Sequence, residues 1–132
     1  MSILAECQVG AGKHALVVDD EEIVGEIIAR VLEQMGYVVD HVLNGEEALE
    51  RARQKSYDTV VCDILMPGVN GMALYETWAN EAPDLSRKMV FVTGDSLGLD
   101  TSAFVARTGC PCIYKPFRLA QLAEVVRELE TA

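Results

Sequence analysis

Short apolar stretches alternate with amphipathic segments along this chain. Residues 60–62 (Val-Val-Cys) contain no polar position, which is typical of a strand buried on both faces of a sheet. Similar apolar runs precede and follow it, and most of them end in turn residues or in charged residues. The predicted strands cover residues 14–18, 37–42, 60–62, 89–93 and 112–114.

An amphipathic helix is predicted after each strand. In the first helix, Ile23, Ile27, Val31 and Met35 recur at a spacing of four residues, and Gly36 ends it. The predicted helices cover residues 23–35, 45–54, 71–80, 100–107 and 118 onwards. This alternation predicts an α/β fold with a parallel sheet, right-handed crossovers and helices on both faces. The pattern leaves the order of the strands open.

Polar residues of particular kinds follow four of the predicted strands. Asp19 and Asp20 follow the first, Asp63 the third, Thr93 the fourth and Lys115 the fifth. Because the carboxyl ends of parallel strands lie at one edge of the sheet, these side chains can converge there. Each residue also has a purely structural explanation: a helix-capping acid, a β-forming threonine or a solvated lysine.

Converging carboxylates need positive charge nearby. Two carboxylates about 4 Å apart repel each other by roughly 4 kcal/mol at an effective dielectric near 20. Lys115 supplies one positive charge, and an oxygen-only ligand set that leaves room for water suits Mg²⁺. Acids, a lysine and a hydroxyl around a metal are typical of phosphoryl transfer, in which one Asp can act as the nucleophile.

Four stretches of the chain resemble the signatures of two-component receiver domains. The resemblance runs from His14 to the C-terminus, so residues 14–132 are predicted to form the domain and residues 1–13 a tail or linker remnant. It implies a flavodoxin-like fold with strand order 2-1-3-4-5. The stretches are 17–21 (VVDDE), 62–67 (CDILMP), 92–94 (VTG) and 114–117 (YKPF).

The resemblance also implies a role for each acid. Asp63 would accept a phosphoryl group from a histidine kinase or a histidine phosphotransfer protein. Asp20 and Asp63 would bind Mg²⁺ directly together with the backbone carbonyl of Leu65. Asp19 would act on the metal mainly through water. The domain would be a signalling switch, not an enzyme, limited to self-phosphorylation from a phosphodonor and slow self-dephosphorylation.

Two further residues would hold the phosphoryl oxygens, namely Thr93 and Lys115. The resemblance implies a cis Lys115–Pro116 bond and a switching surface made of the fourth helix, the fifth strand and the fifth helix, which could also form a homodimer. One position departs from the family. Many receivers carry an aromatic residue three positions before the lysine, whereas this chain has Cys112 there and Tyr114 next to the lysine.

Charge and hydropathy exclude several other classes of function. The net charge is −10, from 11 basic and 21 acidic residues with no basic stripe, so direct binding of nucleic acid is not expected. No apolar run reaches the roughly 18 residues of a membrane span, and residues 1–6 lack the features of a signal peptide. We therefore expect a cytoplasmic domain without membrane contact. The cysteines and histidines do not form a zinc motif.

Two alternative functions fit the α/β pattern less well. A flavodoxin-type FMN carrier needs a phosphate loop after the first strand, but residues 19–22 are all acidic and would repel the flavin phosphate. A small Mg²⁺-dependent phosphatase with an Asp nucleophile usually has a second acid two residues later, where this chain has Leu65. Absorbance of bound flavin, or steady turnover of a phosphate ester, would favour one of these alternatives.

Overall fold

The computed structural model describes residues 9–94 and 98–131. Within these ranges the chain forms strands and helices in strict alternation, except that two helices separate the third and fourth strands. The elements are β1 (His14–Val18), α1 (Glu22–Gln34), β2 (Val38–Val42), α2 (Gly45–Gln54), β3 (Thr59–Asp63), α3 (Gly71–Glu81), α4 (Pro83–Ser86), β4 (Met89–Thr93), α5 (Leu99–Thr108), β5 (Cys112–Tyr114) and α6 (Leu119–Thr131).

The strands form one parallel sheet in the order β2-β1-β3-β4-β5, which confirms the predicted topology. Val18 of β1 pairs with Val42 on one side and with Cys62 on the other. Thr93 of β4 pairs with Tyr114 of β5. All five strands therefore end at the same edge of the sheet, as the βα alternation requires.

Each face of the sheet is covered by its own hydrophobic core. On one face, Val17 packs with Ile28 of α1 and Leu122 of α6. On the other face, Val18 packs with residues from α2, α3 and α5, among them Leu74. Successive strand residues alternate between these cores, which explains why the inner strands contain almost no polar residues. Fully burying one Leu or Ile of this kind contributes about 1.5–3 kcal/mol.

The apolar residues at the start of α1 lie outside the core, unlike the rest of the predicted stripe. Ile23 is 74% exposed and Ile27 is also exposed, whereas Val31 and Met35 are buried. A spacing of four residues turns about 40° beyond one full helical turn, so a series at this spacing drifts around the helix. The core face is centred near Ile28, and the drift carries Ile23 away from it.

A short helix that the sequence pattern did not predict follows α3. Pro83 lies beyond the end of α3, as expected, but it also occupies the first turn of α4. Proline suits this position because its missing N–H would have no partner in the first helical turn. The predicted fourth and fifth helices therefore correspond to α5 and α6.

The end of the predicted tail contacts the domain. Val9 packs against the core beneath α1, and the Gly10 N–H donates a 3.0 Å hydrogen bond to the Met35 carbonyl. Lys13 forms an ion pair with Glu130 in the last turn of α6. Residues 1–8 lie outside the described part of the chain, so the boundary at residue 13 stays a prediction. Within the described ranges, no helix has both the length and the apolar character needed to cross a membrane.

Candidate functional site

Asp63 is the last residue of β3, and its buried carboxylate has two direct partners. Its Oδ1 atom accepts a 3.1 Å hydrogen bond from the Leu65 N–H. Its Oδ2 atom lies 3.1 Å from the Lys115 Nζ. The Leu65 contact arises because the chain turns back immediately after the strand. This places residue 65 beside the acid, while the role of its carbonyl as a metal ligand stays a prediction.

Asp19 and Asp20 follow β1 and join Asp63 in one acidic cluster. One carboxylate oxygen from each of the three lies within 4.8 Å of the others. Asp19 is buried, and its Oδ1 atom accepts a 2.8 Å hydrogen bond from the Glu21 N–H. Asp20 is exposed to solvent. Asp19 and Asp63 are therefore the buried acids of the cluster, and Asp20 lies on its solvent-exposed side.

Lys115 enters this cluster from the loop after β5. Its Nζ atom lies 3.1 Å from Asp63 Oδ2, 3.2 Å from Glu21 Oε1 and 3.5 Å from Asp19 Oδ2. Its backbone N–H donates a 2.8 Å hydrogen bond to the Thr93 carbonyl, which ties the loop to β4. The predicted cis peptide bond between Lys115 and Pro116 is confirmed.

Burial and mutual repulsion shape the charge state of this cluster. Burial raises the pKa of Asp19 and of Asp63 above their usual values, although the nearby Lys115 ammonium partly opposes the change. Burial also works against the Lys115 ammonium, but its hydrogen bond to Asp63 and the surrounding carboxylates outweigh this and raise its pKa. A second cation in the pocket would relieve the remaining repulsion between the acids.

Thr93 ends β4, the strand next to β3 in the sheet, and is buried. Its register partner on the neighbouring strand β5 is Tyr114, which is 38% exposed. Asp63 pairs with Val92, so Thr93 lies one residue further along the carboxyl edge. The sheet thus brings together the strand ends that carry the predicted residues. Residues 95–97, which follow Thr93 and Gly94, lie outside the described ranges.

The ligand atoms of the cluster fit a hard divalent cation. Three carboxylates converge without a nitrogen or sulfur ligand among them, and such oxygen-only sets suit Mg²⁺ or Ca²⁺ better than transition metals. The exposed position of Asp20 leaves one side of the cluster open to water. This agrees with the preference of Mg²⁺ for keeping several water ligands.

Glu21 is the residue of this site that the sequence analysis missed. It was part of an acidic run at the start of α1 and received no separate role. The pattern predicts a helix start at residue 23, whereas α1 begins at Glu22, so only the structure identifies Glu21 as the N-cap, where Ser, Thr, Asp or Asn is preferred.

Comparison with known proteins decides the family. The model of the response regulator receiver domain matches residues 15–127. The chain belongs to this family. A receiver domain is a module of signalling proteins that works as a switch, and its acidic pocket binds a divalent metal. The electron carrier and the phosphatase considered above are not favoured.

Several relatives of this receiver domain illustrate its range of contexts. The response regulator receiver protein CpdR of Brucella abortus is 29% identical over 89% of this chain and 96% of the relative. The sensor kinase CckA of Brucella abortus is 34% identical over 86% of this chain but only 12% of the relative. Two-component system protein A of Emericella nidulans is 31% identical over 86% of this chain and 17% of the relative.

A solved structure confirms the fold independently. A CheY-like response regulator receiver domain protein from Methanospirillum hungatei has a TM-score of 0.81 and 28% sequence identity, covering 90% of this chain and 94% of the other. Because the chain spans only 12–17% of two of the relatives above, the family assignment describes the module and not a whole protein.

Proposed function

We propose that this receiver domain accepts a phosphoryl group on Asp63 from a phosphohistidine, in a Mg²⁺-dependent reaction. The observation that carries the proposal is the convergence on Asp63 of Lys115 at 3.1 Å and of two further carboxylates. A buried nucleophile beside a fixed cation and a metal-binding acid set is the arrangement that phosphoryl transfer requires.

The transfer balances as a displacement at phosphorus. One carboxylate oxygen of Asp63 forms a bond to phosphorus while the bond between phosphorus and the donor imidazole breaks. The imidazole nitrogen keeps that electron pair and leaves neutral, because its other ring nitrogen carries a proton. The product on Asp63 is an acyl phosphate, which water later hydrolyses to free carboxylate and inorganic phosphate.

The other residues of the pocket stabilise charge on the phosphoryl oxygens. The Lys115 ammonium already contacts the Asp63 carboxylate and would contact a phosphoryl oxygen once the group is attached. The Thr93 hydroxyl would bind another phosphoryl oxygen from the end of β4. Thr93 ends β4 and Lys115 directly follows β5, so both lie at the edge of the sheet where Asp63 ends β3.

Three acids and one carbonyl would hold the metal. Asp20, Asp63 and the Leu65 carbonyl would bind Mg²⁺ directly, and Asp19 would bind it through water. When bound, the ion neutralises negative charge on the transferred phosphoryl group. Burial of Asp19 and Asp63 supports this assignment, because burial raises the pKa of both acids and their charged forms then need a counter-charge.

An apolar surface beside the pocket supports a protein donor. Ile27 of α1 and Phe117 and Leu119 after β5 line a groove that also reaches Lys115. Ile23, which precedes the lining residue Val24 in α1, is also exposed. A protein that carries a phosphohistidine to Asp63 would cover this neighbouring surface. We therefore assign the groove to an apolar helix face of a histidine kinase or a histidine phosphotransfer protein.

Phosphorylation would act as a switch, without turnover of a substrate. Attachment at Asp63 would draw in Thr93 and bias the surface of α5, β5 and α6 between two states. That surface would carry the output and could form a homodimer. Since histidine kinases take their phosphoryl group from ATP, the domain would work in the cytoplasm. The acidic net charge of −10 argues against direct contact of this domain with nucleic acid.

Labelling with a small phosphodonor tests the proposal. Acetyl phosphate and Mg²⁺ should add one acid-stable, base-labile phosphoryl group, which mass spectrometry should locate at Asp63. Asp63→Ala should abolish the label, while Asp84→Ala, which removes an exposed acid in α4, should not. Label retained in Asp63→Ala, or equal labelling without divalent metal, contradicts the mechanism. Steady hydrolysis of a phosphate ester would instead indicate the phosphatase alternative.

A further inference from the structure

Glu21 occupies the N-cap of α1 without capping it. The residue has the extended backbone of an N-cap, with φ −89° and ψ 103°, but its side chain makes no hydrogen bond to the first helical turn. Ser, Thr, Asp or Asn at this position would typically stabilise the helix through that bond. The carboxylate of Glu21 instead reaches Lys115, whose Nζ atom lies 3.2 Å from its Oε1 atom.

The backbone of Glu21 is held by hydrogen bonds on both sides. Its N–H donates a 2.8 Å hydrogen bond to Asp19 Oδ1. Its carbonyl accepts a 2.9 Å hydrogen bond from the Gly25 N–H, the first bond of α1. The side chain therefore starts from a rigid point next to the acidic cluster. A local departure from helix-start preferences that creates a contact with a functional lysine points to a role in the site.

The contact also differs in kind from the other two carboxylates around Lys115. Asp19 and Asp63 are buried beneath the ammonium, whereas the Glu21 side chain is 60% exposed and approaches from the solvent side. Lysine has a long, flexible side chain, and fixing it in one position costs rotamer entropy. A third partner at the open side keeps the ammonium from swinging out of the pocket.

We infer that Glu21 is a positioning residue that holds the Lys115 ammonium over Asp63, an inference that rests on the proposed phosphoryl transfer. Such a residue matters before and during the transfer, while Lys115 must stay close to the reacting carboxylate. Asp63 then becomes an acyl phosphate, and the carboxylate that held the ammonium at 3.1 Å no longer carries its own charge. Glu21 remains as an anionic partner outside the reacting atoms and keeps the ammonium directed at the phosphoryl oxygens.

This role predicts that donor affinity and transfer rate change in different directions. Glu21→Gln removes a negative charge near the pocket, so an anionic donor should bind no worse or slightly better. Because Lys115 is then held less firmly, the labelling rate at saturating acetyl phosphate should fall by about two- to fivefold. This range corresponds to the loss of an exposed ion pair. Glu21→Ala, which also removes the hydrogen-bond acceptor, should lower it at least as much.

Glu22→Gln is the matched control. Glu22 is an exposed acid in the first turn of the same helix, so its replacement changes the net charge equally. We expect this variant to keep the saturated rate of the wild type. Thermal unfolding should show similar stability for the Glu21 variants, because the side chain makes no capping bond that could be lost.

Lysine ammonium NMR in the unphosphorylated domain separates this inference from the proposed function. The ¹⁵N-bound protons of Lys115 should exchange with water several-fold faster in Glu21→Ala than in the wild type, with Glu22→Gln unchanged. Exchange and saturated rate that match the control in both Glu21 variants would overturn the inference. If the wild type is not labelled at Asp63, the proposed function fails, but the resting-state exchange still decides whether Glu21 holds Lys115.

Discussion

The Glu46 Oε1 atom accepts a 3.1 Å hydrogen bond from the Val69 N–H, which joins the start of α2 to the loop after β3. The backbone on both sides of this contact is close-packed and leaves no room for a Cβ at two glycines. A Cβ at Gly68, whose φ is +74°, would lie 2.7 Å from the same oxygen. A Cβ at Gly45 would lie 2.1 Å from the Val69 carbonyl oxygen. The loop that carries Leu65 is therefore fixed against α2.

Glu46→Ala should loosen this loop. We expect the free energy of unfolding to fall by about 0.5–1.5 kcal/mol, the usual contribution of one hydrogen bond. Calorimetry should also show weaker Mg²⁺ binding, because the Leu65 carbonyl is then less well placed. Glu46→Gln keeps an acceptor oxygen and should stay close to the wild type. Glu47→Ala removes the same charge from the same turn, and an equal loss of Mg²⁺ affinity there would refute a specific role of Glu46.

The acidic cluster should destabilise the protein in the absence of metal. Replacing Asp63 by Asn removes one of three crowded charges, so the free energy of unfolding in EDTA should rise by about 0.5–2 kcal/mol. Adding Mg²⁺ should raise the melting temperature of the wild type clearly and that of Asp63→Asn much less. Asp20→Asn should likewise weaken Mg²⁺ binding in calorimetry. Equal Mg²⁺ responses in all three proteins would remove these acids from the metal site.

The pH dependence of stability follows from the direction of the pKa changes. Burial raises the pKa of Asp19 and Asp63 above the unfolded value of 3.8. Between the unfolded and the folded pKa the native state binds more protons, so these groups lower the free energy of unfolding as the pH rises through that interval. Lys115, whose pKa is also raised, stabilises the native state at pH values below its unfolded pKa of 10.5 and loses that effect only as the pH rises through its folded pKa.

Denaturant titrations in EDTA, from pH 4 to pH 8, measure this dependence. The penalty from Asp19 and Asp63 should be complete at neutral pH, so Asp63→Asn should gain more stability relative to the wild type at pH 7 than at pH 4. Saturating Mg²⁺ should reduce the pH dependence of the stability difference between Asp63→Asn and the wild type. A gain that is larger at pH 4 than at pH 7 would mean that the folded pKa of Asp63 lies below its unfolded value.

Lys115 should matter for the rate more than for the fold. Lys115→Met leaves the methylene stem but removes the ammonium next to Asp63 Oδ2. We expect the labelling rate at saturating acetyl phosphate to fall about 10²-fold, the usual effect of losing one charge-stabilising group. Lys115→Arg keeps the charge on a side chain of different shape, so its labelling rate should lie between those of the wild type and Lys115→Met. A Lys115→Met domain that is labelled as fast as the wild type would exclude Lys115 from the reaction.

The strands were predictable from the sequence because burial on both faces leaves an unbroken apolar signal. The runs around Val61 and Val90 needed no other information, and both strands appear where they were expected. The strand order was a different matter. Alternating elements do not say which strands are neighbours, so the order 2-1-3-4-5 came from the resemblance to receiver domains alone.

The limits of the sequence pattern are clearest at α1. Ile23 and Ile27 look like core residues by spacing, but the core-facing side of the helix is set by the tilt of α1 on the sheet and by its partner α6. The contact between Glu21 and Lys115 spans 94 residues along the chain, and no local pattern encodes it. Both features belong to the pocket mouth, where exposed apolar and charged residues serve contacts other than packing.

The rings near Thr93 bear on how the signal leaves the site. Tyr114 is the register partner of Thr93, and Cys112 is the partner of Phe91. The Phe91 ring packs against Phe104 of α5 with centroids 5.4 Å apart at 61°. The aromatic contacts on this part of the sheet are therefore made by Tyr75 of α3 and Phe104 of α5, and not by the residue three positions before the lysine. Phe104 is itself buried beside Phe91 of β4.

We therefore predict that phosphorylation changes the loop of residues 94–98 without a swing of Tyr114. Residues 95–97 of that loop lie outside the described part of the chain, and the expectation rests on its flanking glycines, which permit the loop to re-form.

Amide hydrogen exchange with and without a phosphoryl mimic tests this prediction in the wild type, Cys112→Ala, Tyr114→Ala and Phe104→Leu. Cys112→Ala and Tyr114→Ala should keep the response in the loop and in α5. Phe104→Leu should keep the loop response but weaken the response in α5, because the contact of α5 with Phe91 is then reduced. If Tyr114→Ala erases the response around α5 while Cys112→Ala leaves it intact, Tyr114 is the switch and the loop alone does not carry the signal.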